Sequence, residues 1–238
     1  VVDWSSSPPL GGIYSKESNI AIGGNASVDI VSQQKGIYAS RNVYIGCVWD
    51  ESQGSYISSG DPTVKINDGA SVTDVTPDTP NDFTPGQDGI YTDEEDIYIS
   101  GGNVAVYAGG SAILSIGEVN ISGGVITAAS EDYGIGIVGN GGIVLSGGSL
   151  TASGPSKALY PNAGTVTVTM PAYKHRTNTS PSVPTTPYSF FPGTEFDADN
   201  AADYKYVNIM PTFLITSVDA DNGSFAVTVD GAPASSAA

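Results

Sequence analysis

Short triplets with apolar residues at both ends recur along the chain at a nearly constant spacing. The steps between successive triplets are 23, 21, 33, 22, 24 and 23 residues, counted from the first residue of each. Three triplets run into a Gly-Gly pair and then into a second short alternating segment. A period in the low twenties, built from strand-like pieces and glycine turns, is typical of a solenoid. The triplets are Ile20–Ile22, Val43–Ile45, Val64–Ile66, Ile97–Ile99, Val119–Ile121, Ile143–Leu145 and Val166–Val168.

A second motif, Gly-Ile-Tyr or a looser form of it, comes six or seven residues before each triplet. Alternation with period two places every second side chain on one face of a strand. We therefore expect Ile99, Ile121 and Leu145 to point inward as adjacent rungs, with Asn120 outward; Ile137 is the inward residue of the looser copy before Leu145. The copies are Gly12–Tyr14, Gly36–Tyr38, Gly89–Tyr91, Ala112–Leu114, Gly136–Val138 and Ala158–Tyr160, with Ile57 between the second and third.

These two periodic motifs predict an all-β fold, a parallel β-helix of about seven coils over residues 1–170. Equivalent strands of successive coils would stack in parallel at about 4.8 Å. The chirality rule for parallel connections favours the right-handed form. A β-sandwich is the alternative, but it would use antiparallel hairpins and would not need triplets aligned one coil apart.

Three segments depart from the repeat. The 33-residue step holds an insertion at 74–87 that is rich in Pro, Asp and Thr, and insertions leave a solenoid as loops on one side. Residues 171–210 are expected to cap the last coil, because a solenoid end exposes core and strand edge. Residues 211–238 show a β-hairpin pattern and resemble the truncated start of a following β module. The aromatic residues expected to plug the last coil are Tyr188, Phe190, Phe191 and Phe196.

The net charge of the chain disfavours some classes of binding partner. The chain carries 25 acidic and 8 basic residues, a net charge of −17, which disfavours nucleic acid and anionic membrane surfaces. No apolar stretch approaches the ~20 residues needed to span a bilayer, so membrane insertion is not expected. Cys47 is the single cysteine and His175 the single histidine, so neither an internal disulfide nor a two-histidine metal site can form. We expect a monomer.

Three segments carry a resemblance to a known class of proteins: 97–106, 119–128 and 143–152, each with a Ser-Gly-Gly between its two strands. They resemble the repeats of right-handed parallel β-helix surface proteins of anaerobic Gram-positive bacteria, which are fold relatives of pectate lyases. The likeness covers about 12–170. It implies an extracellular or cell-surface location and a carbohydrate-binding or adhesin-like role. Any export signal would lie outside the present sequence.

Tyrosines at outward positions are the candidate ligand-binding residues. Aromatic rings on a rigid sheet can stack on sugar rings, and their hydroxyl groups can form hydrogen bonds. The alternative is that each Tyr packs on its neighbour in the next coil for stability alone. The candidates are Tyr14, Tyr38, Tyr91 and Tyr160 after the inward Ile or Leu, and Tyr44 and Tyr98 on a neighbouring face.

Acidic residues crowd one turn directly after the insertion. Densely packed carboxylate oxygens suit Ca²⁺, although acidic turns also occur without any ion. The sequence therefore predicts a candidate calcium site and no other cofactor. Its residues are Asp88, Asp93, Glu94, Glu95 and Asp96.

Catalysis is not expected from this chain. A polyuronate lyase needs acids that hold Ca²⁺ and a strong base such as Arg or Lys. Between positions 40 and 173 the bases are Arg41, Lys65 and Lys157, and none lies beside an acid cluster in the coil register. Hydrolases need two or three convergent carboxylates, which the outward positions lack. The favoured hypothesis is a non-catalytic glycan-binding or adhesin-like module, with a Ca²⁺-dependent lyase-like enzyme and a purely structural stalk as alternatives.

Overall fold

The structure, a computed structural model, is built almost entirely from β-strands. The described residues contain no α-helix, and hence no helix long and apolar enough to cross a membrane. The predicted insertion at 74–87 and the predicted turn at 221–223 lie outside the described residues. The described ranges are 12–32, 34–68, 88–137, 141–191, 193–198, 203–212, 214–219, 224–229 and 232–233.

Twenty-three strands are present in the described ranges. Strands β1 to β8 are Ile13–Ser15, Ile20–Ile22, Ser27–Ile30, Ile37–Ala39, Val43–Ile45, Cys47–Asp50, Ser55–Ser58 and Thr63–Ile66. Strands β9 to β17 are Ile90–Thr92, Ile97–Ala108, Ile113–Ser115, Val119–Ser130, Tyr133–Ile137, Ile143–Leu145, Ser149–Ser153, Lys157–Tyr160 and Val166–Val168. Strands β18 to β23 are Tyr173–Asn178, Ser189–Phe191, Tyr206–Pro211, Leu214–Asp219, Ser224–Val229 and Ala232–Pro233.

Successive turns of the chain contribute strands to three parallel ladders. The first ladder runs β1-β4-β9-β11-β13-β16. The second runs β2-β5-β10-β12-β14-β17, and the third runs β3-β8-β10-β12-β15, because the long strands β10 and β12 bend from one ladder into the next. This arrangement confirms the predicted fold class: the chain forms a β-solenoid of stacked parallel strands.

The core is a stack of inward aliphatic side chains. Ile99 pairs with Ile121, and Ile121 with Leu145, in adjacent parallel strands. All three side chains are buried, whereas Asn120 points outward and donates to the exposed carboxylate of Glu118. The predicted register of these rungs is confirmed.

The number of turns is about five, slightly fewer than the predicted count of about seven coils. The predicted coil around Ile57 does not exist: β6 and β7 form an antiparallel hairpin, and β4 pairs directly with β9. Val64–Ile66 belongs to the third ladder, between β3 and β10. Local turn chemistry explains the difference, because the Asp50 carboxylate accepts from Ser52 and Gln53 and its carbonyl accepts from Gly54 N, which closes a hairpin.

A second correction concerns the motif copy in β13. The local sequence Gly-Ile-Gly-Ile fits the repeat in two frames, and the alignment of Gly136–Val138 with the other copies is shifted by two residues. Ile135, which is fully buried, pairs with Ile113, whereas Ile137 pairs with Ser115. A Cβ on Gly134 would lie 2.6 Å from the Ala158 carbonyl oxygen, so Gly134 occupies the motif position that must be small.

The last turn is incomplete and an antiparallel sheet covers its end. Strand β20 pairs antiparallel with β15, β18 with β20, and β19 with β18. Phe191 and Phe196 pack against the core, as expected for a plug. Tyr188 and Phe190 do not: Phe190 is exposed, and Tyr188 contacts Asn208 on the outward face. Strand alternation explains the split, because Phe190 and Phe191 must point to opposite sides.

Beyond the cap, the predicted hairpin pattern corresponds to a small antiparallel sheet. Strand β21 pairs with β22, and β22 pairs with β23.

Candidate functional site

Three of the predicted tyrosines form one continuous row on the first ladder. Tyr14 is in register with Tyr38, and Tyr38 with Tyr91. Their ring centroids are 4.9 Å and 5.7 Å apart, with the rings stacked. Tyr160 is separated from this row, because a leucine and a glycine occupy the two intervening rungs, and it stacks instead on Tyr133 at 4.7 Å.

The C-terminal end of this row is covered from within the protein. The Lys35 ammonium lies 3.9 Å from the Tyr91 ring centroid and 3.8 Å from Asp88 Oδ2. The Tyr38 hydroxyl donates to the Asp93 carboxylate, and burial together with this hydrogen bond raises the pKa of Tyr38. Of these rings, Tyr14 at the other end is the most open, with 39% of its surface exposed. The row is thus largely engaged in internal contacts.

A second aromatic cluster forms where the β6–β7 hairpin meets the second ladder. Tyr44 and Tyr98 stack at 5.1 Å as predicted, and Tyr56 of the hairpin stacks on Tyr44 at 3.9 Å. Trp49, directly opposite Tyr56 in the hairpin, meets that ring edge-on at 5.2 Å and an interplanar angle of 69°. Trp49 is 53% exposed. We call Trp49, Tyr56, Tyr44 and Tyr98 the hairpin cluster.

The sequence prediction missed Tyr56 and Trp49. Both were hidden by the assumption that Ile57 formed another rung of the solenoid. The signal that could have found them is the polar turn that starts at Asp50 and ends at Gly54, flanked by two alternating segments. Such a turn predicts a hairpin whose directly opposed residues share one face.

Ring stacking determines which surfaces a ligand can reach. Rings that stack on one another cover each other's faces and leave mainly their edges and hydroxyl groups accessible to a ligand. Tyr38 and Tyr44 lie between two stacked rings each, so their faces are occupied. The Trp49 ring is steeply inclined to the Tyr56 ring, so its faces are not covered by a stacked neighbour in the hairpin cluster. Trp49 is therefore the most accessible aromatic platform of this cluster.

The acidic turn beside the hairpin cluster joins neighbouring coils. The Tyr98 hydroxyl donates to Asp96 Oδ2 at 2.7 Å, and Asp96 Oδ1 accepts from the Glu118 backbone N at 2.7 Å. The Glu95 carboxylate accepts from the Asn42 side chain. Burial is the main cause that raises the pKa of Tyr98, and the hydrogen bond to Asp96 raises it further. These carboxylates therefore stabilise the turn and hold the hydroxyl end of the cluster in a strongly acidic setting.

The five candidate calcium ligands do not converge in the described part of the chain. Asp88 accepts from Ser111 N, while Asp93, Glu95 and Asp96 each bond to a different partner, and Glu94 is exposed. No group of three or more Asp, Glu, His or Cys side chains in the described ranges is placed to hold a metal ion. The adjoining insertion is outside those ranges, so the calcium site stays a prediction.

A concavity of about 270 Å³ lies elsewhere, on the outward side of the third ladder. Its walls are mostly small side chains, Ala105, Thr127 and Ala129, with Tyr107 at one edge. Asn67, which also lines it, uses both amide atoms internally, accepting from Ser32 N and donating to Tyr107 O. Asp68 also lines it and is paired with Lys65. The concavity has one aromatic side chain, whereas the hairpin cluster has four, so the hairpin cluster remains the better candidate for ring stacking.

Comparison of the chain with protein-family models, with curated proteins and with solved structures finds no match.

Proposed function

We propose that this chain is a non-catalytic, extracellular β-solenoid module of a multidomain bacterial surface protein, and that it binds polysaccharide or host glycan through the hairpin cluster. The observation that carries the proposal is the exposed indole of Trp49 held at a steep angle beside the stacked ring of Tyr56. Two aromatic surfaces at such an angle form a corner, and the solenoid behind them keeps that corner rigid.

Chemistry at the corner suits a sugar. The apolar face of a pyranose ring can stack on an indole, and the flanking polar groups can orient its hydroxyls. Burial is the main cause that raises the pKa of Tyr44, followed by the neighbouring Tyr56. The carboxylates of Glu95 and Asp96 also lie close enough to raise this pKa. Carboxylates accept hydrogen bonds from hydroxyl groups, so they complement a neutral, hydroxyl-rich ligand.

The placement of the basic residues supports a non-catalytic role. A lyase would need a free base next to convergent carboxylates. In the described ranges Lys35 is paired with Asp88 and Lys65 with Asp68, and Lys157 lies over the ring of Tyr160. Arg41 is exposed and precedes Asn42, whose side chain donates to Glu95, but the carboxylates of that turn do not converge in the described ranges.

Affinity electrophoresis against pectin, xylan, mucin and host glycans tests the proposal. We expect at least one glycan to retard the protein, and Trp49→Ala to abolish the retardation because it removes the exposed platform. Val125→Ala, which shortens an exposed apolar side chain on the third ladder, is the matched control and should bind normally. In the same assay, Tyr14→Ala tests whether the tyrosine row on the first ladder contributes to glycan binding.

Three outcomes would contradict the proposal. Unchanged mobility with every glycan would leave the structural stalk as the function. Loss of binding in Tyr14→Ala but not in Trp49→Ala would move the site to the first row. Ca²⁺-dependent formation of unsaturated uronate, or of new reducing ends, would establish the lyase-like or hydrolytic alternative.

A further inference from the structure

The outward face of the cap carries a basic and aromatic surface that lies apart from the hairpin cluster. Lys174 and Arg176 alternate along β18 and so point to the same side. Lys174 is in register with Phe190 of β19, and Arg176 with Asn208 of β20. Tyr188 comes just before β19. We call Lys174, Arg176, Tyr188 and Phe190 the cap patch.

One tyrosine ring holds the cap patch together. The Tyr188 hydroxyl reaches over β18 and donates to Asn208 Oδ1 at 2.8 Å on the far strand. The ring consequently lies against both basic side chains, with its centroid 4.7 Å from Lys174 Nζ and 4.5 Å from Arg176 Cζ. Cation–π contact of this kind fixes the position of each charge without neutralising it.

Neither charge of the cap patch has a carboxylate partner among the described residues. In the described ranges the ion pairs within 4.0 Å join Lys35 to Asp88 and Lys65 to Asp68. Arg176 Nε is buried and has no hydrogen-bond acceptor. That nitrogen is closed to an external ligand, but the terminal nitrogens of the guanidinium form a planar fork that matches a carboxylate. In a chain of net charge −17, two adjacent cations held on one ring, with no carboxylate partner in the described ranges, form a local site that favours an anion.

The residue types of the cap patch indicate what carries that anion. Tyr and Arg are enriched among the residues that dominate protein–protein binding energy, and Phe and Met are enriched at interfaces generally. Phe190 is 58% exposed, next to Lys174, and Met210 lies in register on the other side of that lysine. Charged and apolar groups side by side fit a polypeptide that alternates acidic and apolar side chains.

Long polyanions fit less well. A charged polysaccharide or nucleic acid would extend over surfaces of a chain with 25 acidic residues and would be repelled there. A short acidic segment interacts within about one Debye length, ~8 Å at physiological ionic strength, and so responds to the local positive charge.

We propose that the cap patch is a docking site for a short acidic segment of another protein. A carboxylate of the segment pairs with the Arg176 guanidinium, a second carboxylate pairs with the Lys174 ammonium, and an apolar side chain packs on Phe190. This site does not depend on glycan binding by the hairpin cluster.

Fluorescence anisotropy with a labelled synthetic peptide of alternating Glu and Leu residues tests the proposal, and the same peptide with Gln in place of Glu is the probe control. We expect salt-dependent binding of the Glu peptide and little binding of the Gln peptide. Lys174→Glu combined with Arg176→Glu should raise Kd about tenfold or more. Lys16→Glu combined with Arg41→Glu changes the net charge equally at two exposed bases and should leave Kd nearly unchanged.

Single substitutions sharpen the test. Lys174→Arg should keep affinity, whereas Arg176→Lys should lose it because an ammonium lacks the planar fork. Thermal unfolding of each variant reports whether the cap still folds. If the Lys174/Arg176 double reversal does not fold, the two charge-conserving variants still test the proposal.

Any of the following results would overturn the proposal: no binding of the Glu peptide, equal binding of the Gln peptide, an equal loss of affinity in the Lys16/Arg41 control, or binding of polygalacturonate in place of the peptide. Self-association that the Lys174/Arg176 double reversal abolishes would assign the face to a second copy of the chain, also against the proposal.

Discussion

Replacing Ile121 is the most direct test of the in-and-out register on which the fold rests. The side chain is only 1% exposed and lies between Ile99 and Leu145 in the adjacent turns. Burying an Ile contributes roughly 1.5–3 kcal/mol, and the cavity left by truncation adds to the loss. We therefore expect Ile121→Ala to lower the free energy of unfolding by about 2–5 kcal/mol. Ile121→Asp should do more damage, because it adds an unpaired carboxylate between two apolar rungs.

Asn120 supplies the matched control, one residue away and on the opposite side of the strand. Its amide donates to the exposed Glu118 carboxylate. Asn120→Asp loses this hydrogen bond and places a second carboxylate beside Glu118, so it should lower the free energy of unfolding by no more than about 1 kcal/mol at this exposed site.

Chemical denaturation followed by circular dichroism measures both effects in the same conditions. Because solenoid turns contact only their neighbours, the Ile121 variants should also broaden the transition as the turns on either side lose support. Equal destabilisation by Asn120→Asp and Ile121→Asp would show that the assigned register is wrong.

Two further predictions concern the turns and the tyrosine hydroxyls. Gly102 has a φ of +93°, and a Cβ there would lie 2.4 Å from the Pro62 carbonyl oxygen, so Gly102→Ala should destabilise by more than ~1 kcal/mol. Gly54 has a φ of +61° with open space around it, so Gly54→Ala should lose only about 1 kcal/mol, and equal losses in denaturant titrations would contradict this reasoning. Burial and carboxylate hydrogen bonds raise the pKa of Tyr38 and Tyr98, so their stabilising effect is complete below the unfolded value of about 10 and is lost as pH rises toward the folded values. The melting temperature should fall above pH ~10, and less steeply in a Tyr38→Phe, Tyr98→Phe double variant; identical slopes would exclude these hydroxyls as the cause.

Much of the solenoid could be inferred from the alternation of side chains. Period-two alternation depends only on the pleat of a strand, so the inward positions of Ile99, Ile121 and Leu145 were predictable without any tertiary information. The stacking of Tyr14 on Tyr38 and of Tyr44 on Tyr98 follows from the same rule, because equivalent outward positions in adjacent parallel strands are neighbours.

Strand partners, in contrast, were decided by the tertiary structure. The segment around Ile57 alternates as a rung would, yet it pairs antiparallel with β6, because a tight polar turn closes a hairpin locally and no comparable local contact favours the parallel alternative. That choice sets the turn count and brings Trp49 and Tyr56 beside Tyr44.

The same limit applies to every contact between distant side chains. Examples are Lys35 over Tyr91, Asp93 with Tyr38 and Glu95 with Asn42, and Lys174 and Arg176 against Tyr188; each joins residues far apart in the sequence. The alternation of residues along each strand specifies which side chains face outward, because the pleat of a strand has period two. Which outward side chains meet depends on how the chain folds back on itself, and no local pattern of residues encodes that.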